Sequence, residues 1–216
     1  MLQKLSPEGQ GALLQSMQAV SDLLAPQPVG APPVPIALRR HRPGDMGWVV
    51  HRHGVLYARE YGWDERFEAL VAGIAARFVQ RYDERCERCW IAERGGEIVG
   101  SVFLVRKSPQ VAKLRLLLVE PAVRGQGLGA RLVRECIEFA RGAGYRKIML
   151  WTNSVLHAAR RIYENEGFAR VAEEPHRSFG QSLVGETWEL ELSPRTRSAR
   201  STQARQTRQA RQAAKR

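Results

Sequence analysis

Hydrophobic residues first recur at helical spacing within residues 6–25, where Leu13, Leu14, Met17, Val20, Leu23 and Leu24 form one stripe. Ser6 suits the N-cap of that helix and Pro7 its first position. Pro26, Pro28, Pro32, Pro33 and Pro35 then enforce extended backbone, so residues 26–35 read as a linker and a compact domain is expected from Ile36 to residue 193. A short strand at Ile36–Arg39 and a helix opening near Asp45 follow. Phe67, Leu70, Val71, Ile74, Ala75, Phe78 and Val79 fall at helical spacing behind Asp64, a natural N-cap. The apolar runs Cys89–Glu93 and Ile98–Val105 flank Arg94-Gly95-Gly96-Glu97, a hairpin signature because paired glycines permit the positive φ of a tight turn.

Val111–Val119 reads as a further strand, followed by a glycine-rich turn and a helix with Leu128, Leu132, Val133, Cys136, Ile137 and Ala140 on one face. Gly142 and Gly144 end that helix, Lys147–Thr152 reads as a buried strand, and residues 155–166 as a helix stopped by Gly167. Val184, Glu186, Trp188, Leu190 and Leu192 alternate with Gly185, Thr187, Glu189 and Glu191, the two-residue period of a half-solvated strand. The predicted order is β-α-α-β-β-β-α-β-α-β-β. Hairpins combined with two strand-helix crossovers imply an α/β fold with a mixed, mostly antiparallel sheet flanked by helices.

The net charge of +12 is distributed unevenly. Residues 195–216 hold seven Arg and one Lys without an acid, which leaves +4 for the rest of the chain. Segment 194–216 is too polar to fold alone and is expected to be a disordered tail, with non-specific, salt-sensitive attraction to nucleic acid as its functional alternative. No run approaches the apolar length of a membrane span, no secretory pattern opens the chain, and three cysteines build no disulfide framework. A cytoplasmic protein without membrane contact is expected. Cys86-x-x-Cys89 matches half of a zinc or redox site but has no second pair, so no metal is expected.

Arg124-Gly125-Gln126-Gly127-Leu128-Gly129 lies between a strand and a helix, where backbone N–H groups and the positive helix end converge on an anion. No Gly-Lys-Ser or Gly-Lys-Thr follows, which excludes a nucleoside-triphosphate loop. A dinucleotide fold would need an acid after the next strand, which ends Leu150-Trp151-Thr152-Asn153.

Val119-x-Pro121-x-x-Arg124-Gly125-x-Gly127-x-Gly129, a helix, and then Ala159-x-x-x-Tyr163-x-x-x-Gly167-Phe168 resemble the GNAT superfamily of acetyl-CoA-dependent N-acetyltransferases over residues 36–192. That resemblance implies a sheet splayed between its fourth and fifth strands. It also implies that Arg124, Gly125, Gln126, Gly127, Leu128 and Gly129 hold the coenzyme pyrophosphate, with Leu117, Leu118 and Val119 pairing with the pantetheine arm. Gly47-Trp48-Val49-Val50-His51-Arg52-His53-Gly54 and Tyr61-Gly62-Trp63 resemble the acetyltransferase half of proteins fused to a MarR-type regulator. In that light residues 1–25 look like a regulator remnant whose DNA-reading part is missing.

Tyr163, by the same resemblance, stands where a proton is supplied to the departing thiolate. The strand before the turn carries no carboxylate, and Glu120 is expected to lie outside the site. The base is then a water relay or one of His51, His53, Tyr57 and Glu60, with His53 favoured for its ordinary pKa near ~6.5. Asn153 is an approximate substitute for a pantetheine-binding asparagine that the family often places where Leu156 stands. A loop holding His176, Ser178 and Phe179 is expected beside the acceptor pocket. Cys136 faces the helix core, so no covalent intermediate is expected.

The expected activity is acetyl transfer from acetyl-CoA to the primary amine of a small molecule or protein, by direct attack in a ternary complex. The competing class is a non-catalytic module that senses acyl-CoA or associates with nucleic acid. The apolar stripe of the N-terminal helix could pack on its own domain or on a second copy, as a homodimer.

Overall fold

In a computed structural model, the described residues are Ser6, Leu13, Leu14, Ser16, Met17 and 34–192. The chain divides into two units at Pro35–Ile36. In the first, Leu13, Leu14, Ser16 and Met17 are helical, and Leu14 and Met17 are exposed. The rest of the predicted N-terminal helix, most of the linker and the basic segment 194–216 lie outside the described residues.

The second unit runs β1 (Ala37–Arg40), α1 (Asp45–Tyr61), α2 (Glu65–Arg81), β2 (Arg88–Arg94), β3 (Glu97–Arg106), β4 (Val111–Val119), α3 (Leu128–Gly142), β5 (Lys147–Asn153), α4 (His157–Asn165), β6 (Ala169–Ser178) and β7 (Gln181–Glu191). This is the order read from the sequence. The seven strands form one sheet in the order β1-β2-β3-β4-β5-β7-β6, antiparallel everywhere except between β4 and β5. That parallel pair holds together only at Val111–Lys113 against Lys147–Met149. Beyond it the two strands diverge, which is the expected splay.

Helices cover both faces because the strands alternate. In β2, Trp90 and Ala92 enter a core closed by Leu132, Val133, Cys136 and Ala140 of α3, while Cys89 and Ile91 enter one closed by Val49, Val71 and Phe78 of α1 and α2. Asp64 caps α2 by accepting a hydrogen bond from the Arg66 backbone N–H at 3.1 Å. Gly95 and Gly96, both at positive φ, make the β2–β3 turn.

Two features depart from the expectation. His176 and Ser178 are not in a loop, because β6 extends to Ser178 and pairs with Gln181 across the two-residue turn Phe179-Gly180. Phe179 takes φ 56°, which is costly for a bulky residue. Its ring is buried against Trp63 and Phe67, at centroid distances of 4.9 and 5.2 Å, and this packing offsets the strain. Second, β4 is bulged: two residues lie between Arg115 and Leu118, opposite the single residue between Ser101 and Phe103 on β3. Leu116 in that bulge has φ 51°, and its carbonyl accepts from Ser101 Oγ at 3.2 Å.

Candidate active site

The splay opens two cavities, and Tyr57, Leu117, Leu156 and Ala159 line both. The larger, of about 470 Å³, lies between the glycine turn, the end of β4 and α4. It is lined by Leu117, Leu118, Val119, Arg124, Gly125, Gly127, Leu128 and Gly129, as well as Glu60. Eight of the ten residues expected to bind coenzyme therefore converge there. Gln126 does not line it: its side chain is exposed and donates to the Ala122 carbonyl at 3.4 Å. Asn153 lines the second cavity instead.

The turn has the shape an anion cradle needs. Gly125 and Gly127 sit at φ 76° and 78°, and a Cβ on either would meet nothing within 4 Å, so the space before the backbone is open. Gly127 caps α3 without a side-chain hydrogen bond, which leaves the helix N-terminus to an outside acceptor. Gly129 serves packing: a Cβ there would lie 2.7 Å from Ile162 Cδ1 of α4. Beyond Lys113, the β4 edge is not paired with β5, leaving backbone groups to pair with an extended ligand. The residues present therefore fit a pantetheine diphosphate.

Ion pairs fasten α1 to this region. Both terminal guanidinium nitrogens of Arg124 donate to the Glu60 carboxylate, at 3.0 and 2.8 Å. Arg52 binds Glu120 in the same two-pronged way at 2.6 and 2.8 Å. Glu120 is thus an anchor for α1, which explains the carboxylate at the end of β4 that the sequence left without a partner.

The second cavity, of about 310 Å³, is lined by His53, Tyr57, Lys113, Arg115, Asn153 and Tyr163 among mostly apolar and aromatic groups. Tyr163 is buried, and burial pushes its phenol well above the usual tyrosine range, as it does for Tyr57. Both are held as neutral hydroxyl groups. His53 is fully buried and not a solvated helix histidine. Its Nδ1–H donates to the Val49 carbonyl at 2.8 Å, so Nε2 carries the lone pair and has no protein partner. Burial lowers its pKa to about 4. Of the other candidate bases, His51 lines a separate groove between α1 and α2, and Glu60 is committed to Arg124.

Asn153 accepts at Oδ1 from His176 Nε2–H at 2.8 Å, and His176 Nδ1 accepts from Ser178 Oγ at 3.0 Å. The strand pair β6–β7 thereby orients the Asn153 amide. No spacing signal could have linked residues 153 and 176. Glu186, almost fully buried on β7, accepts from Trp188 Nε1 at 2.9 Å and sits 3.0 Å from Arg160 on α4, whose Nε–H is not aimed at it. This contact holds the helix that carries Tyr163. Cys86 and Cys89 are free thiols, and no group of metal-ligating side chains occurs among the described residues.

A mixed sheet splayed beside a glycine turn, with one cavity on each side of the opening, defines the class of acyl-CoA N-acyltransferase folds. The sequence model of the acetyltransferase (GNAT) family matches residues 48–168, more than half of the chain, and the chain belongs to that family. Among its relatives, N-acetyltransferase 8 of Rattus norvegicus is 37% identical over 109 residues, covering 48% of this chain and 46% of that protein. N-acetylaspartate synthetase of Danio rerio is 38% identical over 85 residues, 39% of this chain and 30% of that protein. The chain thus spans about half, or less, of the length of these curated relatives. The fold matches yncA of Salmonella typhimurium, solved with its cofactor acetyl-CoA, at TM-score 0.60 and 19% identity, covering 74% of this chain and 95% of that one. Among the described residues no helix is long and apolar enough to cross a membrane.

Proposed function

We propose that the protein transfers acetyl from acetyl-CoA to a primary amine by direct attack within a ternary complex. The observation that carries this reading is the meeting of the two cavities at Tyr57, Leu117, Leu156 and Ala159. A coenzyme cleft and an acceptor pocket that share a wall bring a thioester and an amine within bonding reach. Acetyl-CoA supplies an acyl group already activated as a thioester.

In this reading the residues of the chain divide the work. The glycine turn from Arg124 to Gly129, together with the α3 N-terminus, binds the diphosphate. Leu117, Leu118 and Val119 pair through their backbone with the pantetheine arm and aim the thioester at the splay. Nε2 of His53, neutral at pH 7, draws a proton from the entering amine, directly or through water. The amine nitrogen forms the new bond to the acyl carbon as the carbon–sulfur bond breaks. Tyr163 gives its hydroxyl proton to the departing sulfur, whose thiol has an ordinary pKa near ~8.5. The kinship to regulator fusions suggested by residues 47–54 and 61–63 belongs to the same reading, as the origin of the N-terminal unit.

Titration calorimetry with acetyl-CoA tests this without knowledge of the acceptor. Micromolar binding that is lost in Gly127→Trp supports the cofactor site. Absence of binding at millimolar ligand overturns it and favours a module that has kept only the fold.

A further inference from the structure

The two cavities differ in charge. The coenzyme cavity has its own cations, Arg124 and Arg161, and one carboxylate, Glu60. The charged groups lining the acceptor cavity are Lys113 and Arg115, with no Asp or Glu among its described lining residues. Both come from β4 and are separated by one residue, so they share the face that looks toward α1 and α2, opposite Ala112 and Leu114 in the other core. Each is partly buried, and neither forms an ion pair or side-chain hydrogen bond among the described residues. Of the six partly buried arginines among the described residues, three have a carboxylate, Arg39 with Asp45 and Glu93, Arg52 with Glu120 and Arg160 with Glu186, and a fourth, Arg88, lies over the Phe139 ring.

Burial and the nearby Arg115 charge lower the Lys113 pKa, and burial and Arg77 do the same for Arg115. Two cations held together without a counter-charge destabilise a protein unless a ligand supplies one. The remaining polar contact points the same way: the Asn153 oxygen is taken by His176, leaving its amide N–H groups for the cavity. The polar side chains offered to the body of an acceptor are thus mainly donors and cations. Around them stand Trp63, Phe67, Ile74, Leu150 and Trp151. Trp151 packs against Gly185, where a Cβ would come 2.8 Å from its ring.

We infer that the acceptor is an α-amino acid with an apolar side chain, its carboxylate held by Lys113 and Arg115 and its amine presented at the Leu116–Leu117 bulge. The spacing suits this. Arg115 is one and two residues from the bulge, at roughly 3.3 Å per residue along a strand, and an α-carboxylate is two bonds from its amine nitrogen. A polyamine would bring two or more positive charges beside Lys113 and Arg115 with no carboxylate to receive them. This inference rests on the transferase reading and specifies its substrate.

The test follows thiol release from acetyl-CoA by the full chain with L-phenylalanine, L-phenylalaninamide and spermidine. Acid and amide differ in the charge that Lys113 and Arg115 would read. Phenylalanine should exceed its amide in kcat/KM by at least about tenfold, the size of one charge-assisted contact. Arg115→Gln should collapse that ratio toward unity by raising KM for the acid, and Arg115→Glu should invert it. Equal use of acid and amide by the wild type, preference for spermidine, or a ratio unmoved by Arg115→Gln overturns the assignment while leaving the transferase reading intact. Thiol release with none of the three, although acetyl-CoA binds calorimetrically, overturns it as well. Failure to bind acetyl-CoA removes the transferase reading itself.

Discussion

Glu60 and Arg124 clasp one another across the mouth of the coenzyme cavity, with two hydrogen bonds of 3.0 and 2.8 Å joining helix α1 to the glycine turn. Charge on that turn is therefore partly neutralised from within the protein. The Glu60 hydrogen bond raises the Arg124 pKa, so the guanidinium is a permanent cation shared between a carboxylate and the cleft. A diphosphate entering beside Arg124 must either displace Glu60 or bind next to its negative charge.

Glu60→Gln should accordingly tighten acetyl-CoA binding by about threefold, because removing one nearby negative charge outweighs the loss of a half-exposed ion pair. The melting temperature should barely move. Calorimetry at low and high salt checks this, and weaker binding in the variant would mean that Glu60 positions Arg124 for the coenzyme.

Gly129 and Ile162 define how closely α3 approaches the helix that carries Tyr163. Gly129→Val should cost about 2 kcal/mol of stability by wedging the two helices apart. Ile162→Ala should cost a similar ~2 kcal/mol on its own. Together they should cost less than the sum by about 1 kcal/mol, since the smaller side chain makes room for the new one. Urea unfolding of the four proteins checks the coupling, and strict additivity would mean that the contact does not set the helix spacing.

The order of elements was legible because each strand and helix states its own period, as in Phe67 to Phe78 of α2 and Val184 to Leu190 of β7, whereas the splay was implied by the resemblance to the GNAT superfamily. The glycine turn was legible for the same local reason. Glu120 lines neither cavity, in line with the expectation, but its partner Arg52 is 68 residues away and left no local signal. His53 was named as a candidate base, but its complete burial was not legible, because one histidine on a helix has no local sign of which face is buried. The β6–β7 turn was missed because Phe179 occupies a position where sequence rules call for glycine, and only the distant Trp63 and Phe67 account for it. Lys113 and Arg115 were read as part of an apolar strand without a carboxylate. Their lack of partners emerges only once β3, β5 and α2 are packed around them.

Tyr163→Phe removes a hydroxyl group and little else, since the ring packs against Phe168 at 5.8 Å and contacts Trp188 at 6.4 Å. The expected result is a fall in kcat of about 100-fold with the Kd for acetyl-CoA nearly unchanged, the range typical of losing a positioned general acid. Single-turnover rates measured beside calorimetry separate the two quantities. An unchanged chemical step would assign the proton to another donor, with Tyr57 next in line because it borders both cavities.

The buried imidazole of His53 makes a prediction about stability that needs no substrate. Its pKa is about 4 in the folded protein, against an ordinary value near ~6.5 when the chain unfolds. Between those values the unfolded chain binds the proton and the folded one does not, so acidification favours unfolding. The loss begins as the pH drops through the unfolded value and stops growing once it passes the folded one. Between pH 7 and pH 5 it should reach about 2 kcal/mol. Carboxylates elsewhere titrate in the same region, so the useful quantity is the difference between the wild type and His53→Leu, which removes this one titration. Urea unfolding at both pH values should show the wild type losing about 2 kcal/mol more than the variant. Parallel losses in the two proteins would mean that water reaches Nε2 and restores an ordinary pKa, which would also make His53 a far stronger base for the entering amine.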